Sequence, residues 1–178
     1  MLDKLYITPK QWMHILRWCL YALLFLLAMM LQTVIFGNRT LLGAHPNFVP
    51  VVVVCVCLRE GPERGGLFAL ISSLIWCLSG IDYGPVSLAV LTVLPVLCAV
   101  LTRTLVANRY IFCLLVTLVT LFAEQSVIFF LRSFFGDLDR SRFMTDLLPC
   151  VLVSALSHPL VYLAAKRIEK IGDPYETI

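Results

Sequence analysis

Polar positions cut this chain into a series of apolar runs. Residues 18–36 are apolar apart from Gln32 and Thr33. A second run, 48–58, is broken only by Pro50, and it stops at the compact charged turn Arg59-Glu60-Gly61-Pro62-Glu63-Arg64. Residues 65–78 form a third run, followed by a short break at 79–84 whose one charge is Asp82. The fourth run, 86–101, contains Pro95 and ends in a basic stretch at 102–109. The fifth, 110–131, leads into a mixed-charge segment at 132–146, and the sixth, 147–165, gives way to a polar tail. At about 1.5 Å per residue, 18–36 reaches roughly 28 Å, close to the hydrocarbon thickness of a bilayer. The pattern predicts an all-α polytopic membrane protein, one domain of six transmembrane helices at about 18–36, 44–58, 65–78, 86–102, 110–131 and 147–165. Thr8-Pro9-Lys10-Gln11 carries a helix-start signature, with a capping hydroxyl, Pro at the first helical position and Gln three after the cap. The second and third spans are short. The second has to borrow from 41–47, where Pro46, like Pro50 further on, turns the preceding residue away from α conformation, so its start is expected to be irregular. Such a start is tolerated at membrane depth only where protein or water covers the freed backbone groups. The first run exceeds the apolar region of a signal peptide and no small-residue cleavage site follows it, so it reads as a span.

Composition strengthens this picture. Of 178 residues 60% are hydrophobic and 14% charged, with a mean hydropathy of +0.92. Soluble domains sit near 45–50% and about 25%, and one core of this size cannot hide the excess. Lipid has to solvate it. The net charge of +3 is too small to indicate nucleic acid, and the basic residues flank apolar runs, which suits anionic lipid head groups. Six spans place Lys4, Lys10, Arg17, Arg59, Arg64, Arg103, Arg109, Lys166, Arg167 and Lys170 on one side and Arg39, Arg132, Arg140 and Arg142 on the other. That bias over short loops predicts cytoplasmic N- and C-termini. An odd number of spans, or fusion of the second and third, would break the rule or bury Arg59, Glu60, Glu63 and Arg64 in lipid.

The seven cysteines, Cys19, Cys55, Cys57, Cys77, Cys98, Cys113 and Cys150, fall in or beside apolar runs. None forms Cys-x-x-Cys, and they read as small packing residues, with no metal site or cofactor expected. The polar residue that stands out is Glu124, followed by Gln125, deep in the fifth span. A carboxylate there has to face the bundle interior. Thr117, Thr120 and Glu124 share one helix face, and Ser154, His158 and Tyr162 share another on the sixth span. These stripes predict interhelical contacts, with Glu124 and His158 meeting directly or through water. Gln32 and Thr33 are expected to lie at the interface or to bond to a neighbouring helix. The segment 134–144 offers Phe134, Phe135 and Phe143 among charges, a candidate partner-contact loop. No phosphate loop, dinucleotide fingerprint, His-Glu-x-x-His or Gly-x-Ser-x-Gly is present, so no enzymatic activity and no catalytic residue are expected.

The order of features in the first half is also familiar. An apolar span is followed by Pro46 and a short apolar run, a charged turn ending in Gly65 and Gly66, a second apolar run, and Tyr83-Gly84-Pro85. In size, span count and this order the chain resembles the rod shape-determining protein MreD family. The run 71–78 carries neither the Gly nor the Asp expected there in that family. The resemblance implies a fold similar to the substrate-binding subunits of energy-coupling-factor transporters. It also implies a non-enzymatic, multi-pass subunit of the bacterial cytoplasmic membrane that acts as a scaffold in cell elongation and peptidoglycan synthesis. The partners it implies are an MreC-like single-span protein and, indirectly, MreB, RodA and a class B penicillin-binding transpeptidase. The alternative is the vitamin-binding subunit of an energy-coupling-factor type transporter. Against that stands the first span, where Ala22 and Ala28 do not form the Ala-x-x-x-Ala of such subunits.

The charge distribution generates a direct test. A reporter active only in the cytoplasm, fused after Ile178, is expected to be active, and one active only outside the cell to be silent; the reverse result excludes the even-numbered threading.

Overall fold

A computed structural model describes residues 9–36, 45–80, 84–105, 109–134 and 143–172. Among these the chain is helical and contains no strand. The helices are α1 (Pro9–Met30), continued by a π-helical turn (Leu31–Ile35), α2 (Phe48–Leu78), α3 (Gly84–Leu105), α4 (Arg109–Phe134), α5 (Phe143–Leu156) and α6 (His158–Gly172). Four stretches are long and apolar enough to cross a membrane: Gln11–Ile35, Gly84–Leu101, Tyr110–Phe134 and Leu147–Ile171. The helix start signalled by Thr8-Pro9 falls at Pro9.

The centre of the bundle is the first arm of α2, residues 48–60, about 20 Å long. Val49, Val51, Val52, Val53, Val54, Cys55, Val56 and Cys57 are all fully buried. A helix apolar on every side belongs in an interior, and α2 packs on α1, α3, α4, α5 and α6. Valine is a mediocre helix former, so this arm is held helical by what surrounds it.

Its start departs from the expected 44–58. Residues 45–47 are not helical, and the helix begins at Phe48. Pro46 disfavours α conformation in His45, and Asn47 is extended at φ −113°, ψ 91°. Pro50 falls in the first turn, where its missing N–H leaves no hydrogen bond unmade. The exposed first-turn donors are met from another helix. Phe48 N and Val49 N donate to Gln32 Oε1 at 2.9 and 3.2 Å, and Gln32 Nε2 donates to Asn47 Oδ1. The π turn at the end of α1 carries the Gln32 amide that does this, in line with the contact expected of it. Thr33 instead donates back to Met29 O in its own helix at 2.9 Å.

The charged segment expected as a turn between the second and third spans is shorter than the sequence suggests. Helix runs up to Glu60 and resumes at Pro62, and the break is one residue, Gly61, at φ 84°, ψ 174°. That combination is open essentially to glycine alone, and Pro62 then opens the second arm, 62–78, with its φ already set. The arms fold back closely, since a Cβ on Gly65 would sit 2.5 Å from Cys57 Cα and O. On its other side a Cβ on Gly66 would lie 3.0 Å from Val96 Cγ2 of α3. Small residues here let backbones approach as they do between membrane helices. The expected sixth span, 147–165, is two helices, because α5 ends at Leu156 and α6 restarts at His158 with Pro159 in its first turn.

The outer surface is apolar. Leu67, Leu70, Leu74 and Leu78 on α2, and Ile111, Leu115, Val119 and Phe122 on α4, are all exposed at helical spacing. A water-soluble monomer does not carry such stripes; lipid contact accounts for them. Replacing Gly61 by Ala is expected to cost about 1–3 kcal/mol through backbone strain, and Gly65→Ala to be destabilising as well because its clash is with backbone. Reversible unfolding in mixed detergent and dodecyl sulfate measures both; wild-type stability in Gly61→Ala would contradict the bend.

Candidate functional site

The bend of α2 gathers the buried charges. Arg17 on α1 donates from Nε to Glu60 Oε1 at 2.7 Å, and its Nη2 reaches the same oxygen. The two side chains are 9% and 2% exposed. Arg59, one residue earlier, pairs with Glu169 on α6. Adjacent on the helix and so about 100° apart, Glu60 and Arg59 reach two neighbouring helices, α1 and α6. The aromatic residues Trp18, Tyr21, Phe25 and Phe68 pack together beside the α1 contact.

An aromatic tier lies against Arg59. Its Cζ is 4.3 Å from the centre of the Tyr162 ring, a cation–π distance. Tyr162 stacks on His158 with centroids 5.8 Å apart and meets Tyr110 edge-on at 4.9 Å. Tyr110 also packs on His158 at 5.5 Å. The imidazole is fully buried, and among the described residues no hydrogen bond of ordinary geometry is found for either ring nitrogen.

One turn before Arg59 on α2 comes Cys55. Its Sγ is 3.7 Å from Cys113 Sγ on α4, and both side chains are buried. One ligand atom each of Cys55, Cys113 and His158 lies within 4.8 Å of the others. Two thiols and an imidazole on three separate helices could hold a thiophilic metal ion. The sequence, which offers no local metal spacing and reads the cysteines as packing residues, does not show this. The three positions are far apart along the chain, and the one signal was a histidine inside an apolar run.

The expected Glu124–His158 contact is not made as a hydrogen bond, since the His158 nitrogens have none of ordinary geometry among the described residues. The reason is depth. Glu124 lies eleven residues beyond Cys113 on α4, about 16 Å along the axis, whereas His158 sits beside Cys113. Glu124 is buried, as a carboxylate at that position has to be. Thr117 and Thr120 donate to Cys113 O and Val116 O at 2.7 and 2.8 Å, so their hydroxyls are satisfied within α4. Gln125 is half-buried. Ser154 donates to Cys150 O and accepts from Asn47 N, both at 2.7 Å, and so ties α5 to the irregular start of α2. Cys150 Sγ donates to His45 O at 3.1 Å in the same region. Phe134 closes α4, 84% exposed. Phe135 and the side chain of Phe143 lie outside the described residues.

No family model, curated protein or solved structure matches the chain.

The Arg17–Glu60 pair gives a quantitative expectation. Glu60→Gln strands a buried guanidinium and should cost about 3–5 kcal/mol, while the joint change Arg17→Met with Glu60→Leu, which removes both charges, should cost less than the single one. Unfolding of the purified variants in detergent reads the difference; equal losses for the single and joint changes would show that the pair is not buried as a unit.

Proposed function

We propose that this chain is a multi-pass protein of the bacterial cytoplasmic membrane, threaded six times with both termini inside. Its spans are α1, the two arms of α2, α3, α4, and α5 with α6. It works without catalysis, as a scaffold subunit of the cell-elongation machinery. Its partners are an MreC-like single-span protein and, through the assembly, MreB, RodA and a class B penicillin-binding transpeptidase.

The observation that carries this reading is the filled centre of the bundle. The first arm of α2 is buried on every face from Val49 to Cys57, so the middle of the molecule is packed side chains. That suits a protein that works through its outer helix faces better than one that encloses a vitamin. The threading draws support from the bend, where Arg17 of α1, Arg59 and Glu60 of α2 and Glu169 of α6 meet at one end. Gln32, Asn47 and Ser154 meet at the other. Charged residues at one end and amide and hydroxyl groups at the other agree with the positive-inside count. The exposed Phe134 at the end of α4 lies where the candidate partner-contact loop begins.

Depletion of the protein in a rod-shaped host is the test. Rounding of the cells, with loss of the MreC-like partner from the elongation complex, is the expected result. Normal shape with a vitamin requirement would replace this reading with the transporter subunit.

A further inference from the structure

We infer that Cys55, Cys113 and His158 form a zinc site inside the bundle, with Cys55 and Cys113 binding as thiolates and His158 as a neutral imidazole.

Geometry comes first. Zinc takes thiolate sulfur at about 2.3 Å and imidazole nitrogen at about 2.0–2.1 Å in tetrahedral arrangement. Those lengths put two ligating sulfurs about 3.8 Å apart and each sulfur about 3.5 Å from the nitrogen. The Cys55 and Cys113 sulfurs are 3.7 Å apart, and the nitrogen lies within 4.8 Å of both. The sulfur–sulfur distance, spanned without an ion by a hydrogen bond from the Cys113 thiol to Cys55, equals a tetrahedral edge, and the nitrogen has to close in to complete the set. That sulfur–sulfur distance is far longer than the roughly 2.05 Å of a disulfide.

Second, the imidazole has no partner outside the cluster. A buried ring nitrogen left without one is costly, and His158 is fully buried, with no hydrogen-bond partner found for either nitrogen among the described residues beyond the neighbouring Cys113 thiol. Stacking on Tyr162 and edge contact with Tyr110 fix its plane.

Third, charge selects the ion. Two thiolates and a neutral imidazole cancel the charge of Zn²⁺, so the loaded site is neutral in a low-dielectric interior, where net charge is heavily penalised. A monovalent soft ion such as Cu(I) on the same two thiolates would leave one negative charge. The nearest described cation, Arg59, is already paired with Glu169. Binding releases the two thiol protons to solvent. Three protein donors leave the fourth tetrahedral position open to water or a further ligand. The ion would join α2, α4 and α6 at a single point, one turn before Arg59 on α2.

The test uses the full chain in detergent, kept reduced, stripped with a chelator and titrated with Zn²⁺ alone and separately with Co²⁺. One zinc per chain is expected, together with a thiolate-to-cobalt charge-transfer band and a higher unfolding temperature with zinc. Cys55→Ala, Cys113→Ala and His158→Ala should each weaken zinc binding by more than about tenfold, since even changes to groups behind a ligand cost 10- to 100-fold. Cys57→Ala and Cys98→Ala should leave it unchanged. Retained stoichiometry in the three ligand variants, or no thiolate–cobalt band in the wild type, would overturn the site. So would binding of Cu(I) with none of Zn²⁺, or a Cys55–Cys113 disulfide in protein taken directly from membranes. Should alanine at 55 or 113 unfold the bundle, the wild-type cobalt spectrum decides by itself.

Discussion

A guanidinium and a carboxylate enter a hydrophobic bundle only as a pair, and each helix that carries one must then be placed to meet its partner. At the bend of α2 two such pairs are made from adjacent residues, Arg59 and Glu60, to two different helices, α6 and α1. The bend therefore fixes more than the course of one helix. It sets how α1 and α6 stand against the central arm. Gly61 makes this possible, because its backbone at φ 84° reverses the chain within one residue. A longer loop would hold the same charges less firmly, with more conformational entropy to lose on folding.

The two ends of the central arm are finished by different chemistry. At the far end the first-turn amides of Phe48 and Val49 are capped by the Gln32 side chain of α1, and the Asn47 amide by Ser154 of α5. In hydrocarbon such donors have no water to turn to, so caps that would be modest on a water-exposed helix become conditions for placing Pro46 and Asn47 near membrane depth. Helix α1 thus touches the arm at both ends, through Gln32 and through Arg17. A valine-rich helix with little intrinsic preference for its shape is held by burial along its length and by directed polar contacts at its tips.

Much of this was legible in the sequence, and the reasons are local. Apolar runs of helical length, the Pro9 start and the irregular approach to Phe48 all follow from residues near one another along the chain. So does Gln32 as a polar group in need of a partner near the end of an apolar run. What could not be read was which polar group meets which, because that depends on depth as well as on helical phase. Thr117, Thr120 and Glu124 of α4 and Ser154 and His158 of the second stripe are buried, yet that stripe is split between α5 and α6 and Glu124 lies about 16 Å along the axis from the level of His158, an offset that matching faces do not show. The break at Ser157 was hidden for a related reason. His158-Pro159 reads equally well as a bend within one helix or as the first turn of a new one, and the surroundings decide. Arg17 and Glu169 gave no sign of their partners, since a basic residue beside an apolar run and an acidic residue in a polar tail look like ordinary head-group and solvent contacts.

The placement of the thiols and imidazole follows from the same bend. Cys55 is four residues before Arg59 and His158 four before Tyr162, so each pair is one turn apart on a shared face. Once Arg59 lies over the Tyr162 ring, Cys55 and His158 are brought to the same level one turn away. Cys113 reaches that level because Tyr110, one turn earlier on α4, packs against both Tyr162 and His158. The cluster is thus a geometric consequence of how α2, α4 and α6 are already pinned by ion pair and aromatic contact. The ion pairs tie α1 and α6 to the central arm. Helix α4 meets that arm through the Cys113 thiol on Cys55 and α6 through Tyr110, and a shared ion would add bonds to those weak contacts.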